Sequence, residues 1–233
     1  VLVGALSLTA LSLAFSAEQS QSIVIANYQF TGTSLAPTTS DANVSASNVN
    51  FTGSNASQFS LDNILVVNAA TGATNATTAV SNNSFFAFTV TPNPLVSLAL
   101  TSLDFQTAAG NANFTSDGYV VRSSVDSFGS DLSSGFYTTP FPTFASTSVN
   151  LTAPSFQAIT APVTFRVYTF RGGGSIPTAT AAYDNLTLNG TATPVPFESD
   201  ALPVVGSAAF MAGGLWWKRR RGQAKVTDFI AQK

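Results

Sequence analysis

Apolar and polar positions alternate with a period of two along most of this chain. The clearest run is Val163 to Phe170, with Val163, Phe165, Val167 and Thr169 on one side and Arg166, Tyr168 and Phe170 on the other. Apolar character on both faces predicts a central strand. In Ser84 to Thr91, Phe86, Phe88 and Val90 share a face, and Pro92-Asn93-Pro94 ends the run. From Val96 to Thr107 the alternation Val96, Leu98, Leu100 slips by one to Leu103 and Phe105. Such a slip within a strand predicts a β-bulge.

Further strands are predicted over 22–31, 44–51, 58–67, 118–125, 146–151 and 183–188, the third of them kinked near Asp62-Asn63. Residues 68–83 read as a small, polar connection, and 126–142 as an irregular, aromatic-rich loop. Gly172-Gly173-Gly174 and Asn189-Gly190 read as turns. No helical period interrupts this middle region. The prediction is an all-β fold: an antiparallel β-sandwich of jelly-roll type over 18–193. The order Phe-Arg-Val-Tyr-Thr-Phe, Gly-rich loop, Tyr-Asp-Asn-Leu-Thr-Leu resembles the last strands of jelly-roll surface and carbohydrate-binding modules.

The two ends break the pattern. Val1 to Ala17 is apolar with small residues, the h-region and cleavage end of a signal peptide, whose start is expected upstream. A buried first helix is the alternative. Near the other end an apolar span, Ala201 to Trp217, is followed at once by Lys218, Arg219, Arg220 and Arg221. Its 17 residues reach the lower limit for a membrane-crossing helix. Trp216 and Trp217 suit the headgroup layer, and the basic cluster predicts a cytoplasmic tail over 222–233.

Composition narrows function. Charged residues make up only 9% of the 233, while 19 Phe and 5 Tyr offer material for a core. From Glu18 to Phe197 there are eight carboxylates against three arginines and no Lys, a net charge of −5. That balance argues against nucleic-acid binding. The chain has no His and no Cys, which removes the commonest general base and thiol or zinc chemistry. A Ser-Lys dyad has no Lys in the domain, and Asp104 and Asp184 are the one carboxylate pair worth weighing for glycoside hydrolysis. No catalysis is expected.

The segment Pro194, Val195, Pro196, Phe197, Glu198, the apolar span and the cluster Lys218 to Arg221 together resemble the PEP-CTERM sorting domain of exosortase substrates. The cyanobacterial subclass, with Pro-Phe-Glu in place of Pro-Glu-Pro, is the nearest form. The resemblance covers 194–221 and implies an exported protein, anchored transiently by the helix 201–217, with an exosortase-type enzyme and the membrane as partners. It implies a surface or extracellular-matrix protein and names no activity.

Two further readings concern ligands. No cofactor is expected, apart from a structural calcium at Asp184 and Asn185, with Asp62-Asn63 as a weaker site; a turn or solvated strand end is the alternative for both. Sugar binding would use aromatic platforms, for which Tyr119, Phe136, Tyr137, Phe141 and Tyr168 are available. Tyr137 and Phe141, in the irregular loop, are the candidate contacts to an extracellular polysaccharide. The alternative function is therefore a carbohydrate-binding jelly-roll module at the cell surface.

Overall fold

The computed structural model of the chain describes residues 22–53, 59–61, 63–110, 116–172 and 180–195. The strands run β1 (Ile23–Tyr28), β2 (Thr39–Ser40), β3 (Val44–Ala46), β4 (Asn50–Thr52), β5 (Phe59–Leu61) and β6 (Ile64–Asn68). A short helix α1 (Ala76–Ser81) follows, then β7 (Phe85–Pro92), β8 (Val96–Ala109), β9 (Gly118–Ser123), β10 (Ser133–Phe136), β11 (Ala145–Asn150), β12 (Val163–Phe170) and β13 (Thr180–Pro194).

All the strand pairings are antiparallel, in two sheets. The first sheet has the order β11-β8-β13-β1-β2, and the second β10-β9-β12-β7-β3. Take β1 and β7 to β13 as the principal strands. The first sheet then holds the sixth, third, eighth and first of them, and the other holds the fifth, fourth, seventh and second. This is the strand order of a jelly roll. The remaining short strands belong to the β1–β7 connection and extend both sheets: β3 and β4 pair with β7, and the β5–β6 hairpin pairs with β13.

Between the sheets lies an aromatic core. Tyr28, Phe86, Phe88, Phe105, Phe165 and Tyr183 are fully or almost fully buried. Phe88 stacks on Phe165 at 5.4 Å, and Phe86 meets Tyr183 edge-on at 5.0 Å. Each such pair contributes about 0.5–1.5 kcal/mol beyond its burial. The outer face of the second sheet is apolar too, with Phe85, Val120, Tyr168 and Phe170 packed against Ala73 and Ala79 of the α1 segment. This explains why β12 is apolar on both faces: Phe165 and Val167 face the core while Tyr168 and Phe170 lie under α1.

The predicted slip in β8 is a bulge. Ser102 pairs with Asn189 and Leu100 with Gly190, leaving Thr101 as the extra residue. Four strand and turn expectations need correction. The stretch 126–142, read as an irregular loop, contains β10, which pairs with β9. The strand predicted over 44–51 is two short strands, β3 and β4, both on β7. The one predicted over 58–67 is the β5–β6 hairpin, with Asn63 at φ 68° in its turn. Asn189-Gly190 is not a closing turn, because β13 continues to Pro194. Gly190 is glycine because a Cβ there would come within 2.4 Å of the Ala99 carbonyl oxygen opposite the bulge.

Helix α1 falls in the stretch read as a polar connection. Its N-cap is Asn75, whose side chain accepts from the Thr78 N–H at 2.9 Å, while Thr78 Oγ1 accepts from the Asn75 N–H at 3.0 Å. This reciprocal cap compensates for a single buried position, Ala79. Compact units divide at Pro194/Val195. The signal-peptide, membrane-helix and tail expectations, with Pro196, Phe197, Glu198 and Lys218 to Arg221, lie outside the described residues. Among the described residues no helix is long and apolar enough to cross a membrane.

Candidate functional site

Three strands place Phe136, Gly118 and Phe170 in one register row on the outer face of the second sheet. Gly118 supplies no side chain, and none would fit. A Cβ there would lie 2.1 Å from the Gly135 carbonyl oxygen and 2.6 Å from Phe170 Cζ. The Phe170 ring therefore leans over bare backbone and is buried, and Phe136 meets it edge-on at 5.9 Å and 83°. Phe136 points outward because Gly135 points inward, where a Cβ would sit 2.8 Å from the Tyr119 hydroxyl. Phe136 is the last residue of β10, which is an edge strand among the described residues, and it is 60% exposed.

Polar side chains surround this ring. Ser134 lies on the same strand and face, and Thr74 and Asn75 come from the approach to α1. Ser116 and Gly172 close the opposite side. Several bonds hold the frame. The Arg171 N–H donates to the Ala73 carbonyl at 2.8 Å, tying the end of β12 to the α1 approach. The buried Asp117 accepts from the Gly172 N–H at 3.2 Å through its carboxylate, and from the Tyr137 N–H at 2.9 Å through its carbonyl. The result is a cleft of about 480 Å3 with an exposed ring, hydroxyl and amide groups, and no charged side chain among the described residues of its lining. Such a cleft can stack a ligand on an aromatic face while hydrogen-bonding it through neutral groups.

The first sheet carries a different surface. Asp104 of β8 accepts from Ser148 Oγ at 2.5 Å, Ser102 Oγ at 3.0 Å and Asn189 Nδ2 at 2.6 Å. Further along, Asn27 Nδ2 donates to Thr187 Oγ1 at 2.7 Å. These bonds cross β11, β8, β13 and β1. A shallow groove of about 330 Å3 beside them is lined by Asp104, Gln106, Ser146, Ser148 and Asn185. It contains no exposed aromatic ring, and its carboxylate is already engaged on both oxygens.

Asp184 and Asn185 sit within β13, not at its opening. A second bulge follows Asp184: Asp184 pairs with Gln106 and Thr187 with Asp104, so that Asn185 and Leu186 together face Phe105. Asn185 adopts φ 50°, and its N–H donates to Asp184 Oδ1 at 2.7 Å. Its Nδ2 donates to Asp184 Oδ2 at 3.1 Å and Gln106 Oε1 at 3.3 Å. The amide nitrogen thus lies between the oxygens that would face a cation. Burial raises the Asp184 carboxyl pKa above its ordinary value, while the backbone bond from Asn185 opposes the rise. Among the described residues no three His, Cys, Asp or Glu side chains converge as a metal site. Asn63 of the weaker calcium candidate accepts from the Gly32 N–H at 2.9 Å; Asp62 is outside the described residues.

The glycan candidates separate. Tyr137 is 3% exposed and its hydroxyl lies 2.7 Å from that of Tyr183, so as a surface contact it is corrected to a core residue. Tyr119 and Tyr168 are buried as well. Phe141 is 45% exposed and packs edge-on to Phe144 at 6.0 Å, away from the residues of the cleft. Pro194 ends β13 opposite Val96, and Val195 is exposed. Phe136 is one of the five aromatic residues that the sequence offers as a sugar platform. The alternation Ser134-Gly135-Phe136, small residue inward and ring outward, is the signal that distinguishes it.

No family model and no curated protein matches this chain. Among the solved structures it is similar to are three that illustrate the likeness. The first is the cleaved adhesin domain of Lys-gingipain from Porphyromonas gingivalis, at 18% identity and TM-score 0.40 over 71% of this chain and 98% of that one. The second is TmCBM61 in complex with beta-1,4-galactotriose, at 12% identity and TM-score 0.32 over 60% and 86%. The third is an apo form cyclase from Fischerella sp., at 17% identity and TM-score 0.31 over 79% and 92%.

Proposed function

We propose that this chain is an exported surface or extracellular-matrix protein. Its β-sandwich is a non-catalytic interaction domain, and its C-terminal segment is a sorting signal for an exosortase-type enzyme. The observation that carries this reading is the junction: β13 runs to Pro194, and Pro196-Phe197-Glu198 follow after Val195 alone. The motif thus follows directly on the last strand of the sandwich, a position at which a processing enzyme could separate the domain from what comes after it. The apolar span and the four cations after it then hold the segment in the membrane with its tail on the cytoplasmic side.

The non-catalytic half of the proposal is supported by the absence of His, Cys and domain Lys from the sequence. Asp104, in the wall of the shallow groove, and Asp184 each accept hydrogen bonds at both carboxylate oxygens, which engages the atoms an acid or base would use. Polysaccharide outside the cell is the partner that the neutral, aromatic cleft suits.

Two epitopes test the sorting reading in cells, one inserted in the exposed turn at Gly32-Thr33 and one appended after Lys233. The turn epitope is expected at the cell surface, separated from the C-terminal one after processing. Recovery of both on one intact cytoplasmic chain would overturn the proposal.

A further inference from the structure

We infer that the Phe136 cleft is a binding subsite for a neutral polysaccharide, with Phe136 as the stacking platform. The inference deepens the proposed surface role by naming the partner's chemistry, and it rests on that reading only for where the partner is met. Phe136 is the most exposed large hydrophobic residue among those described, yet its ring is not loose. The edge-on contact with buried Phe170 fixes one side, and the glycine floor at Gly118 sets how deeply the pair lies. A rigid exposed ring loses little conformational entropy when a ligand stacks on it.

The rim decides the ligand class. A purely apolar partner would strand Ser134, Ser116, Thr74 and Asn75 without water, at a cost for each unpaired group. A sugar offers an apolar C–H face to the ring and hydroxyls to these side chains. An anionic sugar would need a cation, and none stands among the described residues that line the cleft. A volume of about 480 Å3 suits a short stretch of glycan rather than a single small ion. Among the described residues no strand pairs beyond β10, so the cleft is open at the sheet edge and a long chain can enter and leave.

The test uses the full-length chain in affinity electrophoresis. Gels contain cellulose derivative, xylan, galactomannan or galactan as neutral probes, and alginate or polygalacturonate as anionic ones. The wild type is expected to be retarded by at least one neutral probe and by neither anionic one. Phe136→Ala should weaken that retardation by about tenfold or more, while Phe136→Tyr keeps it. Circular dichroism and Tm, unchanged in Phe136→Ala because the ring is exposed on an edge strand, separate lost binding from lost fold. No retardation by any neutral probe, equal retardation of Phe136→Ala, or retardation by the anionic probes would each overturn the inference. If Phe136→Ala unfolds, Ser134→Arg serves instead, since it fills the rim from an exposed position and should abolish retardation. Failure here with correct sorting in cells leaves the surface proposal standing; binding without sorting does the reverse.

Discussion

The hydroxyl oxygens of Tyr137 and Tyr183 lie 2.7 Å apart inside the sandwich, and Thr169 Oγ1 lies 2.9 Å from Tyr183 on its other side. Three strands or their flanks thus share one buried polar chain: the residue after β10, the end of β12 and the start of β13. Burial pushes both tyrosine hydroxyls well above their ordinary pKa, with the neighbouring tyrosine adding to the rise at Tyr137. Tyr137→Phe removes one link and leaves Tyr183 with Thr169. The expected loss is about 1 kcal/mol, a fall in Tm of about 2–4 °C for a domain of this size. Calorimetry measures it. Polysaccharide retardation should not change, because the Tyr137 hydroxyl faces the core and not the cleft.

The same burial predicts alkaline behaviour. Tyr28, whose hydroxyl donates to the Ser47 carbonyl at 2.7 Å, is also raised by desolvation. For a group raised in the folded state, stability is fully present below the unfolded pKa of about 10 and is lost as pH rises through the folded value. Tyr28, Tyr137 and Tyr183 should therefore remain protonated while the domain is folded. Absorbance at the tyrosinate band and far-ultraviolet circular dichroism, followed together above pH 10, should show these three ionising only with unfolding. Ionisation of all five tyrosines on a folded domain would contradict the packing.

Much of this arrangement was legible in the sequence. Strict alternation located β12, and the slip between Leu100 and Leu103 located the bulge at Thr101, because core-facing side chains must keep their face whatever the backbone does. The exposed end of β13 was hidden by Gly190. Its glycine serves close backbone approach, and local sequence cannot distinguish that from a turn. Helix α1 was missed because six residues with one buried side chain carry no period. Tyr137 was read as a surface ring for a related reason: an irregular segment gives no face, and the partner that draws it inward, Tyr183, is 46 residues away. Phe136, its neighbour, faces out because Gly135 leaves room for Tyr119, a relationship between strands rather than along one.

Asp184 offers a test at acidic pH. Its carboxyl is raised by burial, so the protonated form is favoured in the folded state. The stability it adds is present below the unfolded value of about 3.9 and is lost as pH rises through the higher folded value. Asp126 opposes this: hydrogen bonds from Ser130 lower its pKa, so its contribution is lost as pH falls. Comparison of Asp184→Asn with the wild type cancels the Asp126 effect. The Tm difference, variant minus wild type, should become more positive from pH 3 to pH 7. The change should be small, because Asp184 is only half-buried and solvent screens it. A difference that becomes more negative over that range would mean that the carboxylate is held by a partner, a bound cation included.

Asn185 separates backbone geometry from metal binding at the same place. At φ 50° it occupies the left-handed region, where asparagine is tolerated and alanine is strained. Asn185→Ala should cost about 1–2 kcal/mol, since it adds that strain and removes the amide bonds to Asp184 and Gln106. Asn185→Gly relieves the strain and should recover part of the loss. If the bulge alone explains Asp184-Asn185, neither variant alters the response to calcium, and the Tm of all three chains is the same in calcium and in chelator. If calcium lies there, the wild type gains stability with calcium by mass action, and Asn185→Gly, though unstrained, loses that gain. The amide nitrogen between Asp184 Oδ2 and Gln106 Oε1 favours the first outcome: the donor already stands where the cation's charge would be.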